Sequence, residues 1–147
     1  DHDRVLSSNG IEAAKKMGQY ISKEKNIPEL VISSTAIRAK NTAEIAIKSG
    51  RWESGFQLEP GIYGGNPQFL LNLAQTQQEN IASVCFVGHE PNLSNFLVYA
   101  TGNSYESFPT ASIAKIDFDV DNWKNITFGF GTLNWILYPK KISNSRL

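Results

Sequence analysis

The chain has 147 residues with 14 basic and 14 acidic side chains, a balance that argues against the broad positive stripe of a nucleic-acid or anionic-membrane binder. Its length suits one domain, 1–147, able to bury roughly two thirds of the surface that its unfolded form exposes, and no repeat or linker divides it. No apolar run approaches the roughly 20 residues of a membrane span, residues 1–20 are too polar for an export signal, and the single Cys85 cannot close an internal bridge, all of which points to a cytoplasmic protein.

The first readable element is a helix from Asn9, where Asn9 and Glu12 fit the cap and third position of a capping box. Ile11, Ala14, Met17 or Gly18, and Ile21 supply its apolar stripe, and Asn26 and Pro28 close it. Leu30-Val31-Ile32 then reads as a strand, Ser33-Ser34-Thr35 as a turn, and Ala39, Ala43 and Ile47 as the buried side of a helix that ends at Gly50. Strand, polar turn and helix in this order form the βα junction of a mainly parallel sheet.

Gly55, Pro60, Gly61, Gly64, Gly65 and Pro67 break up residues 50–67. Asn66 and Pro67 predict the cap and first position of a third helix, with Phe69, Leu70, Leu73 and Ala74 on its inner side. Ser83 to Gly88 reads as a central strand with Cys85 as a buried thiol, residues 89–92 as a turn, and Leu93 to Ala100 as a helix before Gly102. Alternation of Ala114, Ile116, Phe118 and Val120 with Lys115, Asp117 and Asp119 marks a half-exposed strand, and residues 133–138 form another, stopped by Pro139. Gly129 and Gly131 between them mark a turn, a bulge or a close backbone approach. A parallel α/β domain normally opens on a strand, whereas this chain opens on a polar turn and a helix.

Two residues at strand–helix junctions stand out. Arg38 lies just inside a helix at the carboxyl edge of a parallel sheet, where unpaired N–H groups and a guanidinium fork together suit a phosphoryl group. A solvated surface arginine is the plainer alternative. His89 follows Phe86-Val87-Gly88 at a strand end, placed to donate to an anion or to move a proton near neutral pH, or else to cap local backbone. Arg4 is a candidate phosphate neighbour. His2, crowded by Asp1 and Asp3, is either a third active-site imidazole or, the reading favoured here, part of a charged entry loop, and Glu59 is either a candidate acid or a solvated loop carboxylate. Asp1, His2 and Asp3 lack the spacing of a metal motif. Trp123, Phe128, Phe130, Trp135 and Tyr138 lack the cationic company of a base-stacking platform and read as packing.

Three segments together resemble the histidine-phosphatase superfamily: Asp1 to Gly10, Ser33 to Ala43, and Val87-Gly88-His89-Glu90-Pro91-Asn92-Leu93. Phe108-Pro109-Thr110 and the finish from Trp135 to Lys140 are similar to its short phosphohistidine-phosphatase branch. The resemblance implies a three-layer α/β/α, phosphoglycerate-mutase-like fold, with a mainly parallel central sheet and an antiparallel strand. It implies hydrolysis of phosphohistidine or a small phosphorylated substrate through a phosphohistidine intermediate, with no metal and no cofactor. Arg38 would bind phosphoryl oxygens, His89 would stabilise the transferring group from the opposite side, and Arg4 would assist. The family's Arg-His-Gly or Arg-His-Ala motif does not occur in residues 1–147, so the nucleophilic histidine and the first strand that carries it are expected upstream of residue 1. A phosphorylated small molecule or a phosphohistidine protein is the expected partner. The alternatives are a non-catalytic phospho-ligand domain that keeps half the pocket and an α/β interaction domain with no ligand.

Overall fold

The computed structural model describes residues 1–105 and 108–142. Helix α1 spans Ser8–Lys23. It starts ahead of the expected position: Ser7 is the cap, its hydroxyl accepting from Gly10 N at 3.1 Å, and the Asn9–Glu12 box does not form. The reason lies in packing. Leu6 lies so close over buried Gly10 that a Cβ there would meet it at 2.6 Å, and Glu12 instead pairs with Lys15. Ala14, Met17, Gly18 and Ile21 are buried as the stripe predicts. The helix ends before Asn26, with Lys25 in the left-handed region at φ 58°.

A parallel sheet of three strands forms the centre, in the order β2 (Gly55–Leu58), β1 (Leu30–Ser33), β3 (Val84–Val87). Its strands alternate between two cores. Val31, Cys85 and Val87 face α1 and α2 (Ile37–Gly50) with Ile21, Ala43 and Trp52. Leu30, Ile32, Val84 and Phe86 face α3 (Pro67–Gln75) and α4 (Asn92–Thr101) with Leu70, Leu93 and Phe96. Helices thus cover both faces, the three-layer arrangement expected. The Asn66–Pro67 start holds as predicted, with Asn66 Oδ1 accepting from Phe69 N at 2.9 Å. Strand β2 was not expected. All four of its residues are exposed, and only pairing with the outer edge of β1 makes it a strand.

The antiparallel component is a separate ladder of β4 (Ile113–Phe118) and β5 (Gly131–Leu137), with an irregularity between Lys115 and Ile116. Its Ile113, Trp135 and Leu137 lean into the α1–α2 core. Gly129 takes φ 88° and donates to the end of α4, a turn as its position suggested. The helices α1 and α2 touch backbone to backbone: a Cβ on Gly18 would lie 2.4 Å from the carbonyl oxygen of Ala46. Trp52 seals this crossing by donating from its indole to Gly18 O at 3.0 Å. Among the described residues no helix is long and apolar enough to cross a membrane.

Between β3 and the start of β4 runs a cleft of about 530 Å³, roofed by the inner face of α1 and reaching Arg38 and His89 at one end. The carbonyls of Ser83 and Val87 accept from β1 and its continuation. By the two-residue period of a strand, the backbone groups of Val84 and Phe86 therefore point the other way, into the cleft. The Phe86 carbonyl meets the Cys85 thiol there at 4.0 Å. Cys85 is only partly covered along this open edge, yet desolvation still pushes its pKa up to about 11.

Candidate functional site

Parallel pairing brings the carboxyl ends of β1 and β3 side by side, and the polar residues that follow each strand meet there. Ser34 N donates to Val87 O at 2.9 Å, which extends the ladder by one step and sets the turn after β1 against the turn after β3. Buried Ser34 then offers its hydroxyl to both neighbours. It accepts from Ala36 N at 3.1 Å, supporting the start of α2, and faces His89 Nε2 at 2.8 Å.

Arg38, on the first turn of α2, reaches across to the same imidazole, with Nη2 3.3 Å from His89 Nδ1. Its side chain is 21% exposed, so the guanidinium is sheltered but still open to a ligand. The charge of Arg38 has an acidic partner in Asp1: Nη1 donates to the Asp1 carbonyl at 2.8 Å, and Nη2 lies 3.2 Å from its carboxylate. Arg4 approaches the other carboxylate oxygen of Asp1 at 3.7 Å. The Asp1 carboxylate thus bridges the two arginines as a small anion would. Burial foremost, then the charges of Arg38 and His2, lower the His89 pKa from its ordinary value. An imidazole and a guanidinium thus meet where a helix start and strand ends converge, a place whose unpaired N–H groups and fixed cation suit an anion.

The structure brings Arg38, His89 and Arg4 into one mouth and adds His2, for which the sequence favours an entry loop, and Tyr63, which the sequence does not single out. His2 is held over the site by Ile37 N, which donates to its carbonyl at 3.0 Å, and by Thr35, whose hydroxyl lies 2.9 Å from its Nε2. Tyr63 packs edge-on against both His2 and His89, with ring centroids 4.9 and 5.3 Å away. A lone tyrosine among glycines carries no periodic signal, and only a fold-level placement of its loop could have found it. Glu59 is engaged in its own turn, with Oε2 accepting from Gly61 N at 2.8 Å. Glu90 is similarly occupied, accepting from Ser94 N at 2.7 Å and Phe108 N at 3.3 Å, so it fastens the start of α4 to the segment before β4. Among the described residues no group of three His, Cys, Asp or Glu side chains could hold a metal ion.

No protein-family profile matches the chain. It is 27% identical over 143 residues to the phosphohistidine phosphatase SixA of Escherichia coli strain K12, covering 95% of this chain and 84% of that one. It is 26% identical over 151 residues to the uncharacterised protein Rv1276c of Mycobacterium tuberculosis, covering 95% and 92%. Among solved structures, the protein histidine phosphatase SixA complexed with tungstate superposes with a TM-score of 0.83 at 25% identity, over 96% of this chain and 88% of that one.

Proposed function

We propose that this chain, whose fold and sequence likeness are those of the histidine phosphatase superfamily, is the phosphate-binding body of a phosphatase that acts on phosphohistidine or another small phosphorylated substrate. The observation that carries this reading is the convergence of Arg38 and His89 on one point at the carboxyl ends of β1 and β3, 3.3 Å apart, with the guanidinium still reachable from solvent. Phosphoryl transfer asks chiefly for positioning and charge stabilisation, which this pair supplies. Arg38 takes two phosphoryl oxygens in its fork, Arg4 adds charge from the rim, and His89, its Nδ1 released from Arg38 and protonated as the anion enters, donates to a third oxygen. In this reading the Asp1 carboxylate gives up its place when the ligand enters.

The chemical step needs a nucleophile on the cleft side of the site. In our reading a histidine on a strand preceding Asp1 provides it, the strand lying in the cleft against the free edge of β3. An apolar run such as Val84-Cys85-Phe86-Val87 suits a strand with neighbours on both sides, and the outward backbone groups of Val84 and Phe86 need partners. The histidine nitrogen attacks phosphorus, the bond to the leaving group breaks, and water then cleaves the phosphohistidine to release inorganic phosphate. An imidazole that already carries a proton on its far nitrogen leaves as a neutral ring, so such a substrate needs no dedicated acid. That suits a site whose carboxylates Glu59 and Glu90 hold backbone. We infer a cytoplasmic workplace, where a lone thiol such as Cys85 stays reduced.

Trapping decides the matter. The full-length protein, mixed with phosphoramidate and quenched in alkali, should carry one acid-labile phosphoryl group on histidine, and Arg38→Ala should abolish the labelling. Turnover without any phosphoprotein overturns the covalent route. Arg38-dependent phosphate binding with neither turnover nor labelling identifies instead a non-catalytic phospho-ligand domain.

A further inference from the structure

Tyr63 is a large aromatic side chain, 37% exposed, in a mouth otherwise built of charged and hydroxyl groups. Its position does not come from its own burial. The turn beneath it is fixed at several points: Glu59 N donates to Ser33 O at 2.8 Å, Ile62 is 3% exposed in the core beside Leu30 and Ile32, and Asn92 Nδ2 donates to Gly65 O. Gly64 closes the turn at φ 77°, a backbone conformation that a side chain would oppose. The backbone that carries the ring is therefore fixed at the mouth, and part of the ring is exposed.

What the ring accepts is visible in its neighbours. It packs against the imidazole of His2 at an interplanar angle of 81° and against that of His89 at 86°, the edge-to-face contact that suits a flat, polarised nitrogen ring. His2, at the outer side of the mouth with Nε2 on Thr35, is an imidazole of this chain already packed on that ring.

We propose that Tyr63 is the specificity-determining residue of this site, a wall that packs against the nitrogen heterocycle bearing the phosphoryl group and so favours the imidazole of a phosphohistidine side chain over aliphatic phosphoesters. This rests on the phosphatase reading above. Arg38 recognises the phosphoryl group in any substrate, and Tyr63 recognises the ring to which it is attached. Hydrophobic area alone does not give this choice; the edge-to-face geometry does.

Two peptides of one sequence make the test, one bearing phosphoryltriazolylalanine, a stable ring-bearing mimic of phosphohistidine, and the other phosphoserine. Binding to the full-length protein is measured by calorimetry. Wild type should prefer the ring-bearing peptide, Tyr63→Leu should lose about three- to tenfold of that preference, and Tyr63→Phe should restore it. A preference that survives in Tyr63→Leu, or that Tyr63→Phe fails to restore, overturns the assignment. Arg38→Ala separates the two levels. If wild type binds both peptides in an Arg38-dependent way but without Tyr63-dependent choice, only the role of Tyr63 falls. If Arg38→Ala changes neither affinity, the phosphate site itself falls, and the role of Tyr63 with it.

Discussion

The guanidinium Nη2 of Arg38 faces the Nδ1 atom of His89 at 3.3 Å. A guanidinium has donors only, so Nδ1 must present its lone pair, and the ring proton sits on Nε2, directed at Ser34 Oγ 2.8 Å away. The pairing thus favours a neutral imidazole with its proton on Nε2, anchored to the turn after β1. Protonating Nδ1 would place a hydrogen against a cation.

The first consequence is a pH dependence. The folded pKa of His89 is lowered by burial, by Arg38 and by His2, while the unfolded chain keeps the ordinary value near 6.5. Between the two the unfolded state binds more protons, so stability rises with pH across that window. The contribution is complete above about 6.5 and is lost as pH falls through the folded value. Proton NMR should find His89 titrating below a free histidine, and inorganic phosphate, as a nearby anion, should move its pKa upward. A His89 that titrates above the ordinary value would contradict this account.

Replacing Arg38 by lysine keeps the charge and removes the fork. Two parallel N–H donors become one mobile ammonium, which reaches neither the phosphoryl group nor His89 Nδ1 in the same geometry. A hydrogen bond to a charged group is worth about 1.5–3 kcal/mol, so phosphate or tungstate binding should weaken roughly ten- to a hundredfold. Calorimetric affinity equal to wild type would show that charge alone serves the site.

The carboxylate of Asp1 occupies the position of a competing anion between Arg38 and Arg4. It is 58% exposed, and exposed ion pairs contribute at most about 1 kcal/mol. Asp1→Asn should therefore tighten phosphate binding by no more than about fivefold, with a smaller effect at high salt. Titrations at low and high ionic strength check both the sign and the screening.

Arg38 and His89 were legible because strand, turn and helix patterns put them at junctions whose place in a parallel sheet is fixed. The helix Ile37–Gly50 and the start at Asn66–Pro67 were legible for the same local reasons, glycine and proline punctuation around a regular stripe. Strand β2 was not legible, since Gly55, Phe56, Gln57 and Leu58 are exposed and owe their conformation to β1. His2 reads as a charged loop because Asp1 and Asp3 flank it, and long-range contacts of its carbonyl with Ile37 N and of its ring with Thr35 carry it to the site. The start of α1 was displaced because two good caps, Ser7 and Asn9, compete, and the packing of Leu6 on Gly10 decides between them.

The α1–α2 crossing admits no side chain at Gly18. In an open helix Gly→Ala would gain up to about 1 kcal/mol of propensity. Here the added methyl would meet Ala46 O at 2.4 Å and Ala46 Cα at 2.7 Å, both backbone atoms that cannot turn aside. Separating the helices would also stretch the Trp52 bond to Gly18 O. Overpacking of this kind costs about 1–3 kcal/mol, so Gly18→Ala should lose stability despite its better propensity. Thermal unfolding should record a fall of several degrees, and an unchanged or raised midpoint would show that the crossing relaxes freely.

Hydrogen exchange reads the free edge of β3 residue by residue. Within β3 the Cys85 amide points to β1 and is held in the ladder, while the amides of Val84 and Phe86 point into the cleft. In residues 1–147 taken alone, the amides of Val84 and Phe86 should therefore exchange faster than that of Cys85, an alternation that uniform loosening of the sheet would not produce. If a preceding strand fills the cleft, the same two amides in the longer polypeptide should be protected to the level of Cys85, since both edges of β3 are then paired. The Cys85 amide, already bonded, should change least. Protection that rises equally at all three positions would indicate general stabilisation rather than a new strand partner. Fast exchange at Val84 and Phe86 in the longer polypeptide would leave the cleft without a strand and remove the proposed seat of the nucleophile.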